Sequence, residues 1–142
     1  MPDQPIEVAR NQWGAILHHP DVRMLELRWF ASTRQMTDDD FKATLEQYTS
    51  QGERLQPITC GLIDATEFFH TFADGEALAW RDAHIIPRYN TMGMKKFAFH
   101  MPPGAPGTVE AGGTPFVEGQ AAFPTGWFAT RERADAWLAE TT

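Results

Sequence analysis

A chain of 142 residues is the length of one domain, and with 42% apolar and 12% aromatic content it can bury roughly two-thirds of its unfolded surface without a metal or disulfide staple. Nineteen acids against twelve Lys and Arg leave a net charge of −7, and the few basic residues are scattered, so the electrostatic footprint of a nucleic-acid binder is missing. The lone Cys60 excludes an internal disulfide and a multi-cysteine metal cage and fits a reducing compartment. No run of 18 apolar residues occurs, and the first twenty residues have no basic start followed by an apolar core. These features predict a single soluble, cytoplasmic domain over 1–142, with no nucleic-acid partner and no stable membrane insertion.

Glu7 to Phe30 reads as extended chain. Leu25, Leu27 and Trp29 alternate with Glu26 and Arg28, the period of a strand with one wet face, and a shorter strand over Trp13–Leu17 turns at His19-Pro20-Asp21 to make a hairpin. Thr37 before Asp38, Asp39 and Asp40 is a helix start with a hydroxyl cap, acids where the helix dipole favours them and a capping-box acid; Phe41, Leu45 and Tyr48 share a face, and Gly52 ends the run. Pro57 to Asp64 is mostly apolar, the pattern of a strand covered on both faces in a parallel sheet. A second helix is predicted from Asp74, broken or kinked at Pro87, which lacks an N–H, and ending at Gly93.

Lys96–Met101 is the next strand. Pro102–Gly119 holds four prolines and five glycines and reads as an irregular, flexible loop. Gln120–Phe123 reads as a last short strand, and Thr130 caps a final helix in which Ala134, Trp137 and Leu138 are spaced to dock on the sheet. The expected fold is α/β, a mostly parallel sheet with flanking helices and an N-terminal β-hairpin.

With these segments laid out, the chain resembles the SpoIIAA-like, STAS-type family of small bacterial α/β domains, related in fold to anti-sigma-factor antagonists and to Sec14-type lipid carriers. The likeness is carried by Gly61-Leu62-Ile63-Asp64-Ala65-Thr66, by Lys96-Phe97-Ala98-Phe99, and by the ending Gly126 to Leu138 with its aromatic pair, capping Thr130 and terminal Ala-Trp-Leu. It implies a non-enzymatic domain that binds a partner protein or a lipophilic small molecule, without a cofactor. In phosphorylated STAS proteins a serine begins the helix after the central strand. The matching stretch here, His70 to Gly75, has no serine, and the nearest match is Asp74, which reads either as a plain helix cap or as a fixed negative charge in place of a phosphate.

The five histidines do not fall at metal-ligand spacing, and no P-loop, GxGxxG or GxSxG motif occurs. Cys60 in a buried strand reads as a small apolar side chain. His84 lies four residues after Trp80 and four before Arg88 on one helix face, and Asp64 and Asp74 are candidates for a carboxylate pair. Large side chains crowd the stretch after the third strand. The expected binding surface therefore comprises Asp64, Thr66, Phe69, Phe72, Asp74, Trp80, His84 and Tyr89, near the C-terminal ends of the strands where open α/β sheets hold ligands. Two alternatives stand beside it: a small ferredoxin-like enzyme using His84 or His70 as acid/base in an aromatic cavity, and a structural homodimer.

Overall fold

The computed structural model describes residues 4–140. Seven strands form one sheet in the order β1-β2-β3-β4-β5-β7-β6. β1 (Ile6–Arg10), β2 (Gly14–His19) and β3 (Met24–Trp29) make an antiparallel meander. β4 (Cys60–Asp64), β5 (Lys96–His100) and β7 (Pro124–Phe128) continue from β3 in parallel, and the two-residue β6 (Phe116–Val117) closes the far edge antiparallel to β7. The sheet is thus mixed, not mostly parallel: parallel pairing is confined to its middle, and both flanks are antiparallel. The hairpin over Pro20 is present, with one more strand before it than expected.

The apolar run before Asp64 behaves as its composition requires. β4 is interior, with parallel neighbours on both sides, and Leu62 and Ile63 are buried on opposite faces. Helix α1 (Asp38–Arg54) begins with the full capping box: Thr37 Oγ1 accepts from the Asp40 amide, and the Asp40 carboxylate accepts from the Thr37 amide. Its buried stripe of Phe41, Leu45 and Tyr48 lies on one sheet face, where the Tyr48 hydroxyl donates to the Leu25 carbonyl at 2.7 Å.

The helix after β4 is one rod in three parts: α2 (Glu76–Trp80), a π-turn (Arg81–Ile85) and α3 (Ile86–Met92). In the π-turn the Ile86 amide donates to the Arg81 carbonyl, five residues back. Pro87 explains the wider turn. Its ring has no N–H to offer the Ala83 carbonyl and would clash with it in a regular α-helix, so the chain inserts a residue instead of breaking. Gly93, at φ 90°, ends the rod in the left-handed conformation. Arg88 ties the rod to α1 through Glu46 and Glu53, both at 2.7 Å.

α1, α2 and α3 cover one face of the sheet; α4 (Arg131–Ala139), capped by Thr130, covers the other through Ala134 and Leu138. Pro102–Gly119 departs from a purely solvated loop. Thr108 is buried, Val109 packs beneath α4, Phe116 and Val117 pair with β7, and Glu110 accepts from the Ala129 amide at 2.8 Å. Gln120–Phe123 is a turn rather than a strand, the strand being β7 directly after it.

Candidate functional site

Strand alternation divides the chemistry between the two sheet faces. On the α1 side, the C-terminal ends of the parallel strands present Trp29, Ile63, Phe99 and Trp127 as the floor of a cavity of about 330 Å³. Phe41 and Leu45 from α1, and Leu78, Ile86 and Tyr89 from the second rod, form its roof. Phe68 and Phe72 close one side from the connection after β4. The rings brace one another: Trp29 stacks on Phe41 at 5.9 Å, Phe72 meets Phe41 edge-on at 4.9 Å, and Phe99 stacks on Trp127 at 5.8 Å. A preformed, mostly apolar hollow of this size lies at the small end of ligand pockets, and its position is the one open α/β sheets use for ligands. Among the described residues, charge enters its wall only through Arg81, from the π-turn, and Glu118, from the exposed stretch after β6.

The connection carrying Phe68 and Phe72 is fastened to the first turn of α1. Asp38 Oδ1 accepts from His70 Nε2 at 2.7 Å, the Ala73 amide points at both Asp38 oxygens, and the His70 ring meets the Phe72 face at 4.7 Å. His70 is therefore a strut for the wall, outside the cavity lining.

The opposite face is ionic. Glu26, on β3 beneath α4, is completely buried, and its carboxylate accepts from His19 Nε2 at 2.9 Å and from both Arg28 and Arg131. Burial pushes this carboxyl up, but the His19 hydrogen bond and the Arg131 and Arg28 guanidinium groups outweigh it and hold the group at about 2. Across the strand ends Arg28, Asp64 and His100 share one register row. Asp64 Oδ2 is 3.8 Å from Arg28, and His100 Nδ1, 4.0 Å from Asp64, is buried with no hydrogen-bond partner among the described residues.

The residues expected to form one surface are dispersed. Phe72 and Tyr89 line the cavity. Asp64 and Thr66 do not: Asp64 faces the α4 side, and its carboxylate accepts from the Thr66 hydroxyl and amide in a local turn. Phe69 is exposed against the Arg34 guanidinium. Asp74 is exposed and accepts from the Glu76 amide, the bond of a helix start, so it does not pair with Asp64. Trp80 and His84 adjoin each other outside the cavity lining, His84 exposed and Trp80 half-buried against the core with Lys42 of α1 over its ring. Cys60 is half-buried against the Leu138 carbonyl, and burial raises its thiol.

Trp29, Phe41, Phe99 and Arg81 are among the cavity residues that the expected surface leaves out. The signal for the strand residues was present, since Trp29 ends one period-2 apolar series and Phe99 lies within another, Phe97-x-Phe99-x-Met101, but which series share a face depends on register. Among the described residues no cluster of three or more His, Cys, Asp or Glu is placed to hold a metal, and no helix is long and apolar enough to cross a membrane. Comparison with protein-family models, curated proteins and solved structures finds no match to this chain.

Proposed function

We propose that the chain is a non-enzymatic, STAS/SpoIIAA-like binding domain that holds a lipophilic small molecule in the aromatic cavity between the sheet and α1–α3. One observation carries this reading: a braced, ring-lined hollow of about 330 Å³ lies at the C-terminal ends of four parallel strands. Rings that could collapse onto one another instead leave space, which costs packing energy unless something fills it. The acid/base alternative draws less support. His84 lies outside the cavity lining, His70 is bonded to Asp38, and the chain order is not the βαββαβ of a ferredoxin-like fold.

Uptake of a neutral fluorescent probe, N-phenyl-1-naphthylamine, tests the reading. Wild type should bind it saturably at one site. Ala65→Phe, which adds a ring inside the cavity wall, should abolish uptake while the circular dichroism stays native. Trp80→Ala and His84→Gln should leave the affinity unchanged. Absence of saturable uptake, or uptake untouched by Ala65→Phe, would overturn it. For the partner-protein or homodimer reading, the supporting observation is the exposed pair Phe116 and Val117 on the sheet edge, with Phe116 packed on Trp127. Loss of association in Phe116→Lys with probe uptake intact would favour that surface.

A further inference from the structure

We infer that the cavity selects a small aromatic carboxylate, the ring system held among the aromatic walls and the carboxylate on the Arg81 guanidinium. This rests on the cavity being the ligand site. Size comes first: about 330 Å³ is roughly twice the 150 Å³ of a cavity that accepts one benzene, so the space suits two fused rings rather than one or four. The wall composition then favours a flat aromatic guest over an acyl chain. Half of the lining side chains are aromatic, and ring pairs in offset or edge-on contact gain beyond the area they bury.

The charge follows from the backbone. In a regular α-helix residues five apart point about 140° away from each other, so Arg81 and Ile86 would not face one cavity. The π-turn closes on that five-residue spacing and brings both onto the cavity side. Arg81, one turn after Leu78, thus puts a guanidinium in an otherwise apolar roof, and the inserted residue brings Ile86 in beside it. Its partner is the adjacent Asp82 at 3.0 Å, whose side chain is 56% exposed, whereas that of Arg81 is 26% exposed. A solvent-exposed pair of this kind contributes little and is readily exchanged for a ligand carboxylate, which a guanidinium can grip with two parallel hydrogen bonds. Glu118, the opposing charge, lies on an exposed stretch where solvent and salt screen it, so Arg81 dominates the field inside.

Isothermal titration of the full chain with 2-naphthoate, neutral 2-naphthamide and cationic 2-naphthylmethylamine tests the inference. Wild type should bind the acid at least about tenfold more tightly than the amide, the order of discrimination a charge-assisted hydrogen bond provides. Arg81→Met should remove the difference by weakening the acid alone, and Arg81→Lys should retain part of it. Equal affinities for acid and amide in wild type, or tightest binding of the amine, would overturn carboxylate selection and leave the aromatic cavity as a ligand site. If none of the three binds to folded wild type, the cavity reading fails and this inference with it. Should Arg81→Met not fold, the comparison of the three ligands on wild type and on Arg81→Lys decides.

Discussion

Glu26→Gln tests the electrostatics of the α4 interface. The carboxylate is fully buried and held at about 2 against an ordinary 4.5, a displacement equivalent to about 3 kcal/mol of folding stability. Removing one member of a buried ion pair costs about 3–5 kcal/mol in general. The lower end applies here, because Arg28 is half in solvent and Arg131 keeps Asp135 at 2.9 Å. Because the folded-state value is lowered, the contribution is fully present above pH 4.5 and is lost as pH falls towards 2. Urea unfolding at pH 7 should therefore show Glu26→Gln about 3 kcal/mol less stable than wild type, or roughly 10 °C lower in melting temperature. As pH is lowered from 5 to 2 the two curves should converge, since wild type protonates the group that the variant lacks. A gap that stays constant down to pH 2, or one below about 1 kcal/mol at pH 7, would refute the assignment of Glu26 as an ionised hub.

Three further outcomes are expected. Gly61→Ala should lose about 1–3 kcal/mol in urea unfolding, because a Cβ there would lie 2.5 Å from the Phe97 ring inside a packed layer. Thr37→Ala should cost about 1 kcal/mol by removing the cap of α1, and Thr37→Ser should restore most of it. Lys96→Met should lower the melting temperature and hasten amide exchange at the end of α4, because the buried ammonium bonds the Trp137 and Glu140 carbonyls at 2.8 and 2.7 Å.

Local chemistry was legible at most element ends, though Gly52, read as the end of α1, lies inside it, packed against Met92. Thr37 with Asp40, Thr130 and Gly93 mark element ends through bonds or dihedral angles made within a few residues, and the structure has those ends. The apolar run into Asp64 also declared an interior strand, because only a doubly covered strand tolerates apolar residues on both faces. Glu26 misled for the complementary reason. Alternation of Leu25, Glu26, Leu27 and Arg28 has the period of a half-wet strand, yet Arg131, 105 residues later, covers the polar side with a guanidinium. No local pattern distinguishes an acid facing water from one facing a distant arginine. The sheet's far antiparallel edge was missed likewise, unlike the N-terminal hairpin: Phe116–Val117 is too short to carry a period, and its pairing comes from β7 alone.

The aromatic site divides along the same line. Clustering of Phe69, Phe72, Trp80 and Tyr89 in sequence suggested one surface, but a helix distributes neighbours around its circumference. Tyr89 faces the sheet to stack on Phe97 at 5.2 Å, while Trp80 turns away from the cavity to pack beneath Lys42 of α1. The rings that complete the cavity come from strands far apart in the chain, joined by a register that places Trp29, Phe99 and Trp127 at the same end of the sheet. Pro87 was legible as an interruption, and its consequence was not. A break or kink would have reoriented α3, whereas the inserted residue keeps the rod continuous and rotates one half against the other. That rotation brings Ile86 onto the wall beside Arg81 and Tyr89, which a regular helix already points within about 80° of each other, so the shape of the cavity's roof depends on how the helix accommodates a proline.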